Sequence, residues 1–240
     1  MDFIEFKNKF TKYLLDLNIE LSEDKIEKFY KYMNLLIEWN EKINLTAIVE
    51  PNEIIVKHFV DSLTIEKYLQ KGQSVIDVGT GAGFPGIPVS IVRDDCNVTL
   101  MDSLNKRINF LKEIEKECNI SNVECIHSRA EELSQNKQFR EKYDIVTSRA
   151  VASLNVLLEY LLPFVKVGGY AICMKGSNIE DEVSKSSKAL EVLGGEIVEI
   201  NTFNLADTDN GRNIIVVKKI KNTPAKYPRK AGTPAKEPIF

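Results

Sequence analysis

The sequence has few of the residues that hold metal ions or form disulfide frameworks. Its 240 residues include two histidines, His58 and His127, at no ligand spacing, so we expect no metal site. The four cysteines form no C-x-x-C pair and are Cys96, Cys118, Cys125 and Cys173. We therefore predict buried thiols in a reducing cytoplasm rather than a disulfide-bonded, secreted protein.

Long apolar runs and a secretory leader are also missing. No stretch approaches the roughly 18 apolar residues that a membrane-spanning helix needs. The first residues, MDFIEFK, lack a basic and then apolar pattern. Hydrophobic residues make up 43% of the chain and charged residues 28%, which is ordinary for a soluble globular protein. We expect a cytoplasmic protein of one or two domains without membrane contact.

The most informative stretch is VIDVGTGAGFPG, at 75–86. An apolar strand ends beside Asp77, and glycines follow at Gly79, Gly81, Gly83 and Gly86, so a ligand can approach bare backbone amides. The last six residues fit G-x-G-x-x-G, a weak signal that dinucleotide folds share. An acid two residues before the first glycine is typical of S-adenosylmethionine sites, and we predict this cofactor here. Another nucleotide, or a turn without a ligand, stays open.

A second acid supports the same cofactor. The next strand is predicted to end at Asp102, 25 residues after Asp77, which is about one β-α-β unit. An acid at this strand end can accept hydrogen bonds from both ribose hydroxyls. NAD enzymes use an acid at the same place, so Asp102 does not distinguish S-adenosylmethionine from NAD. An ordinary aspartate in a loop is a further alternative.

The chain divides into three predicted parts. We expect a helical cap at 1–72, a sheet domain at 73–220 and a basic, proline-rich tail at 221–240 that is extended and not helical. The third helix of the cap is predicted at 51–69. From residue 73 onward, strands and helices alternate, which predicts a parallel sheet with helices on both faces.

Seven strands are predicted in the sheet domain. They are Ser74–Val78, Asn97–Met101, Val123–Ile126, Tyr143–Thr147, Gly169–Met174, Glu196–Ile200 and Asn213–Lys218. The helices between them are predicted near 85–93, 104–118, 129–138, 153–165 and 178–193. The last two strands are joined by a loop at 201–212 and should pair antiparallel at the sheet edge. This α/β pattern matches the Rossmann-like, seven-stranded, mostly parallel sheet of class I S-adenosylmethionine-dependent methyltransferases, here with an N-terminal helical extension.

Functional residues are expected where the parallel strands end. Ala130 and Glu131 follow the third strand, where an adenine ring would lie, although Glu131 also fits an ordinary first-turn acid. Arg149 follows the fourth strand, where it could hold an RNA phosphate or the cofactor carboxylate; a structural ion pair is the alternative.

The end of the chain is basic although the net charge is −3. The last thirty residues contain eight lysines and arginines against one acid, Glu237, which predicts a phosphate-rich partner. The predicted RNA-binding residues are Arg212, Lys226, Tyr227, Arg229 and Lys230. Charges there would neutralise phosphates, and the tyrosine ring could stack on an unpaired base. A solvated tail without a partner is the alternative.

The motifs that are absent narrow the chemistry. The fourth strand is followed by TSRAV at 147–151, not by the polar-Pro-Pro-aromatic motif of exocyclic amine methylation. No cysteine lies at a strand end suited to attack a pyrimidine carbon, and no P-loop or G-x-S-x-G elbow is present. Guanine N7 attacks with its own lone pair and needs no base, so these absences are compatible with N7 chemistry without establishing it.

Six motifs along the chain together resemble one family. They are WNEKINLT at 39–46, HFVDSL at 58–63, DVGTGAGFPGIP at 77–88, DSLNKR at 102–107, RAE at 129–131 and SRAV at 148–151. The sequence resembles the bacterial rRNA small-subunit methyltransferase G family, also called glucose-inhibited division protein B. Its basic tail is similar to that of Gram-positive members.

The resemblance implies an activity and a set of residues. The family transfers a methyl group from S-adenosylmethionine to N7 of a guanine in the 530 loop of 16S rRNA. By motif position, the resemblance implies cofactor contacts at Gly79, Phe84, Ala130, Glu131 and Arg149. The partner is then 16S rRNA or the small ribosomal subunit, and we expect a monomer.

Residues of the HFVDSL motif are the least explained. His58 and Asp61 could be offered to RNA by a helix folded over the cofactor, so they join Arg149 as candidate catalytic residues. A local structural pair of the two is the alternative. Because both interpretations are possible, the sequence assigns no catalytic residue.

Other functions compatible with the sequence are methylation of another RNA or a protein, cofactor-responsive RNA binding without turnover, and NAD-dependent reduction. Removal of 221–240 is expected to leave cofactor binding intact and to weaken RNA methylation.

Overall fold

The computed structural model describes residues 1–206 and 208–240 and contains one seven-stranded sheet. The strands are β1 (Ser74–Val78), β2 (Asn97–Asp102), β3 (Val123–His127), β4 (Tyr143–Arg149), β5 (Val165–Lys175), β6 (Gly195–Asn204) and β7 (Gly211–Lys219). All seven predicted strands are present, and β1 has the predicted bounds. The loop predicted at 201–212 is shorter than expected, because β6 and β7 extend into it; its residue Asp207 lies outside the described residues.

Helices cover both faces of the sheet. They are α1 (Phe3–Asp16), α2 (Glu23–Ile43), α3 (Pro51–Glu53), α4 (Asp61–Leu63), α5 (Gly86–Val92), α6 (Asn105–Glu117), α7 (Ala130–Leu133), α8 (Leu154–Leu161), α9 (Glu180–Ser184), α10 (Ser187–Leu193) and α11 (Thr233–Lys236). In the described part of the chain, no helix is long and apolar enough to cross a membrane.

The order of the strands fixes where a ligand can bind. It is β3-β2-β1-β4-β5-β7-β6, with β1 to β5 parallel and with β7 antiparallel to both β5 and β6. The order reverses between β1 and β4, and crevices for ligands open at the carboxyl ends of strands beside such a reversal. Because β7 is antiparallel, its first residues lie at that same edge, beside the end of β5.

Alternating strand residues supply two hydrophobic cores. Val75 packs on the face with α1 and α2, and Ile76 packs on the face with α8 and α10. The first core contains an aromatic cluster whose members are Phe6, Phe10, Phe29, Tyr32 and Phe59. The N-terminal helices therefore share one core with the sheet.

The third helix of the cap differs from its prediction. The predicted continuous helix at 51–69 begins as α3, widens into π-helical turns over Ile54–Val60, returns as α4 and ends in a 3-10 turn at Glu66–Tyr68. Periodicity of apolar residues does not distinguish these hydrogen-bond patterns, because each keeps one face buried. The wider turns contain His58, and π-helical turns are frequent at functional sites.

Two other helices are much shorter than predicted, and the one predicted at 178–193 is divided into α9 and α10. The helix expected at 129–138 covers only α7, and the one expected at 153–165 ends at Leu161 because β5 begins at Val165. Helix ends are the weakest part of predictions from pattern, since apolar residues of a helix and of the following strand form one continuous run.

The tail is folded and carries a helix, which corrects the expectation of an extended segment. Residues 233–236 form α11, with Pro234 in its first turn. Proline is favourable there because its missing N–H has no intrahelical partner in any case. Arg140 donates hydrogen bonds to the carbonyls of Thr223 (2.8 Å) and Tyr227 (2.9 Å), which fixes the start of the tail to the domain.

Candidate functional site

The glycine turn after β1 is built on the side chain of Asp77. This carboxylate is buried, and its Oδ2 accepts hydrogen bonds from Thr80 Oγ1 (2.6 Å) and from the Gly86 amide (2.8 Å). Its Oδ1 is buried without a hydrogen-bond partner, and burial raises the pKa of the carboxyl to about 6. Asp77 thus lies behind the turn and shapes it, instead of lining the cleft in front.

Two glycines of the turn have different surroundings. Gly81 has φ +62°, and a Cβ atom there would meet nothing within 4 Å, so its backbone is open to a ligand. At Gly83, with φ +103°, a Cβ atom would lie 2.7 Å from the hydroxyl of Tyr32. The hydroxyl of Tyr32 donates a hydrogen bond to the Ala82 carbonyl. Helix α2 therefore packs against the back of the turn while its front stays open.

Asp102, at the end of β2, lies directly beside this open backbone. Its Oδ2 accepts a hydrogen bond from the Gly81 amide (3.0 Å), and its Oδ1 accepts one from Leu104 (2.9 Å). Arg107 forms an ion pair with the same carboxylate (3.1 Å). The glycine turn and the predicted ribose-binding acid are thus joined, although 21 residues separate Gly81 from Asp102.

Arg149, at the end of β4, is held by the HFVDSL motif. Its Nη1 contacts Asp61 Oδ2 (2.7 Å) and the Lys57 carbonyl (3.2 Å), and its Nη2 lies 3.2 Å from His58 Nδ1. The guanidinium also lies over the ring of Phe84, 5.1 Å from its centroid. His58 and Asp61 do not pair with each other; both bind Arg149.

A second arginine shares the carboxylate of Asp61. Arg212, near the start of β7, donates from Nε to Asp61 Oδ1 (2.9 Å). The Asp61 carboxylate is only 3% exposed and faces two guanidinium groups, so the cluster of Asp61, Arg149 and Arg212 carries one excess positive charge. A buried cationic cluster of this kind favours an anionic ligand.

His58 is a neutral imidazole with both nitrogens engaged. Its ring stacks on Phe84, with centroids 4.3 Å apart and an interplanar angle of 14°. Burial, and then the positive charge of Arg149, lower its pKa to about 3. Because Arg149 donates to Nδ1, the proton resides on Nε2, which lies 2.9 Å from Thr46 Oγ1. His58 is therefore a positioning group for Arg149 and a poor proton acceptor.

These groups line a cleft of about 730 Å³ at the switch point. This volume lies within the usual range for small-molecule sites. Of the predicted site residues, the cleft is lined by His58, Asp61, Gly79, Gly81, Phe84, Asp102, Arg149 and Arg212. Asp77 and Gly83 lie behind the turn, and Ala130 and Glu131 lie to one side, after β3.

The predicted RNA-binding residues of the tail do not line the cleft. Arg229 forms a two-pronged ion pair with Glu159 of α8 (Nη2 to Oε2, 2.7 Å; Nε to Oε1, 3.0 Å). Tyr227 packs against the second core, with the ammonium of Lys226 over its ring. Lys226 and Lys230 are exposed, whereas Arg229 is held by a carboxylate. This placement gives Arg229 a structural partner, and its contact with RNA stays a prediction.

Several polar residues of the cleft were given no role from the sequence. Among them are Thr46, Lys57, Arg107 and Lys175. Lys175, at the end of β5, pairs with Glu182 (2.6 Å). The signal for Lys175 was its position at a strand end, and the signal for Thr46 and Arg107 was their place in the recognised motifs. Lys57 gave no signal, because its carbonyl and not its side chain holds Arg149.

Comparison with known proteins decides the family. The model of the family described as rRNA small subunit methyltransferase G matches residues 25–214. The chain belongs to this family. A relative from Desulforamulus reducens named ribosomal RNA small subunit methyltransferase G is 55% identical over 226 residues, covering 93% of this chain and 94% of the relative. A relative of the same name from Clostridium botulinum is 48% identical, covering 98% of this chain and all of the relative.

Solved structures with low sequence identity share the fold. A S-adenosylmethionine-dependent methyltransferase from Aquifex aeolicus superposes with a TM-score of 0.51 at 18% identity, covering 70% of this chain and 93% of that one. The precorrin-6y C5,15-methyltransferase from Geobacter metallireducens gives the same TM-score and identity, covering 67% and 87%. These matches confirm the predicted class I methyltransferase fold.

Membership in the family confirms the recognised resemblance and the prediction of S-adenosylmethionine as the cofactor. The site is compatible with this group, because the turn offers bare backbone at Gly81 and a carboxylate at Asp102 beside it. A nucleoside with free ribose hydroxyls and a compact, charged amino-acid end matches this combination of donors and acceptors.

Proposed function

We propose that the protein methylates N7 of a guanine in the 530 loop of 16S rRNA, using S-adenosylmethionine. Names of the relatives support small-subunit rRNA as the substrate. The resemblance of the sequence motifs supports the atom and the loop. We further propose that the glycine turn, Asp102 and Arg149 hold the cofactor and that Arg212 and the exposed tail lysines bind RNA.

The observation that carries N7 is that no residue lining the cleft, among those the structure describes, is a free base. Each carboxylate that lines it is ion-paired: Asp61 with two arginines, Asp102 with Arg107 and Glu182 with Lys175. His58 is neutral, but both its ring nitrogens are engaged. A nucleophile with its own lone pair, such as guanine N7, reacts without a base, whereas an amine or hydroxyl loses a proton during transfer.

The residues of the cleft would act by binding and orientation. When bound, S-adenosylmethionine supplies an electrophilic methyl group on a positively charged sulfur. Asp61 and His58 fix the Arg149 guanidinium over Phe84, so its orientation is set before any ligand enters. Preorganised positioning of two reactants is a large contribution to rate when no proton is transferred.

The test is methyl transfer from labelled S-adenosylmethionine to small ribosomal subunits that lack the modification. Free 16S rRNA and tRNA serve as parallel substrates, and borohydride–aniline cleavage locates N7-methylguanine. One cut in the 530 loop is expected. Label in RNA without a cut would contradict N7, and label in tRNA alone would contradict the substrate.

A pair of variants separates the cofactor role of Asp102 from general charge loss. Asp102→Asn is expected to weaken S-adenosylmethionine binding, because the amide replaces one of the two acceptor oxygens. Asp94→Asn is the matched control, since Asp94 is 70% exposed and does not line the cleft. Equal affinities of the two variants would remove Asp102 from the ribose role.

A further inference from the structure

Part of the folded tail contacts the segment that follows β3. Gln135 donates from Nε2 to the Pro228 carbonyl (3.1 Å), and Arg140 donates to the Tyr227 carbonyl. Further along, the amide of Gly232 donates to Glu131 Oε1 (2.9 Å), a contact between residues 101 positions apart. The acceptor of this last bond is a buried carboxylate.

The tail is fixed at this place independently of any RNA. Glu159, which is 1% exposed, accepts from the backbone amide of Arg229 (2.8 Å) as well as from its guanidinium. A buried carboxylate that binds both backbone and side chain defines one position for the chain. Residue 232, three positions later, is therefore held close to Glu131.

Glu131 follows β3, the strand that pairs with the end of β2 at Asp102. Strands β2 and β3 pair with Asp102 opposite His127, and the Ser128 amide donates to the Asp102 carbonyl (3.2 Å). Helix α7 begins two residues later, at Ala130, and contains only four residues. A helix this short is not stable by itself, so its position depends on contacts such as the one with Gly232.

We propose that the C-terminal tail is a strap that holds the Ala130–Glu131 segment against the adenosine end of the cofactor. Glu131 is a positioning residue in this arrangement, because its side chain accepts the hydrogen bond from the Gly232 amide and so fixes the backbone that would face the adenosine. The proposal rests on the proposed function in one respect, the placement of the cofactor ribose at Asp102. It reverses the expectation that the tail can be removed without loss of cofactor binding.

The experiment measures S-adenosylmethionine affinity by calorimetry in the absence of RNA. Removal of residues 232–240 deletes the Gly232 donor and keeps the Arg229–Glu159 pair. We expect affinity to fall about fivefold to tenfold, which corresponds to the net contribution of one ordinary hydrogen bond. Removal of 237–240 alone keeps Gly232 and α11, so this control is expected to retain affinity within about twofold.

Single substitutions test the same bond without truncation. Glu131→Ala in the full chain is expected to lose as much affinity as the truncation, and the combination is expected to lose no more, since both remove one interaction. Glu131→Gln is expected to retain affinity, because its amide oxygen accepts the same hydrogen bond. Thermal unfolding without cofactor verifies that each variant is folded.

Four outcomes are decisive. Unchanged affinity after removal of 232–240 would overturn the strap, and so would additive losses in the combined variant. A full chain that binds no S-adenosylmethionine would overturn both the strap and the proposed function. If the affinities follow the expected pattern while the full chain methylates no RNA, the strap is supported and the proposed function fails.

Discussion

Both ends of the chain fold back on the central sheet, but different forces hold them there. The N-terminal helices contribute Phe6, Phe10, Phe29 and Phe59 to the core, and each of these side chains is fully buried. The tail is fixed mainly by hydrogen bonds and by one ion pair between Arg229 and Glu159. Apolar burial is spread over many contacts, whereas polar anchoring depends on a few directional ones.

This difference predicts how mutations at each end change the structure. Loss of an N-terminal aromatic removes part of the core that also supports the glycine turn, since Tyr32 contacts both Phe59 and Phe84. Loss of a tail anchor releases a peripheral segment and leaves the sheet intact. The first end is inseparable from the fold, and the second can open locally.

The largest expected effect is on the aromatic cluster. Phe59→Ala should lower the free energy of unfolding by about 3–5 kcal/mol, because the ring is fully buried among five aromatic neighbours. Urea unfolding followed by circular dichroism measures this. Leu15→Ala, at a side chain that is 61% exposed, is the control and should change stability by less than about 0.5 kcal/mol. Similar losses in both variants would contradict the difference between buried and exposed positions.

Arg229→Gln should produce the next largest effect. It should lower the free energy of opening the tail by about 2–3 kcal/mol, because it leaves the buried carboxylate of Glu159 without its cation. The change should appear as faster amide hydrogen exchange in the tail, with exchange in the sheet unchanged. Lys230→Gln removes the same charge from an exposed neighbour and serves as the control. Equal exchange rates in the two variants would show that the ion pair does not anchor the tail.

His58 should make stability depend on pH in one direction. Its pKa is about 3 in the folded protein and ordinarily 6.5, so its contribution is complete above pH 6.5 and is lost as pH falls toward 3. Between pH 7 and pH 5 this loss should be about 2 kcal/mol.

The substitution His58→Asn isolates that contribution. Asp77, whose pKa is raised to about 6, has the opposite effect, because it makes the fold more stable as pH falls. It is present in both the wild type and His58→Asn. The difference between the wild type and His58→Asn in urea unfolding at each pH therefore reports His58 alone. His127→Asn, at an exposed histidine, is the matched control. A constant difference between wild type and His58→Asn from pH 7 to pH 5 would contradict a neutral, buried imidazole.

The smallest expected effect is that of one hydroxyl behind the glycine turn. Tyr32→Phe removes the donor to the Ala82 carbonyl and should lower stability by about 1 kcal/mol. We also expect a fewfold weaker S-adenosylmethionine affinity, since the turn loses its support from α2. Tyr30→Phe removes a comparable hydrogen bond, to the Met1 carbonyl, at a distance from the turn. If the two variants bind the cofactor equally well, α2 does not position the turn.

Much of the fold could be predicted because its signals are local. Strand β1 has the predicted bounds, and the antiparallel pairing of β6 with β7 follows from the lack of a helix between them. Asp77, the glycines and Asp102 could be placed at strand ends by the same reasoning. The π-helical turns at 54–60 and the helix in the tail could not, because local pattern does not resolve hydrogen-bond register or the docking that stabilises a short helix.

The arrangement of the site depended on contacts between distant parts of the chain. Arg212 was predicted from the basic end of the sequence, but its place beside Asp61, 151 residues earlier, follows from β7 running antiparallel. The same holds for Arg229, whose charge predicted an RNA contact while its position opposite Glu159 gives it a structural partner.

The sequence by itself determined the fold class, the cofactor turn and the family, because each is written in periodicity, glycine spacing or short motifs. Only the tertiary structure decided which arginines are held by buried carboxylates, that His58 is a neutral support for Arg149, and that the tail reaches Glu131. The physical reason is that the protonation and pairing of a polar side chain depend on its burial and its neighbours, which the order of residues along the chain does not specify.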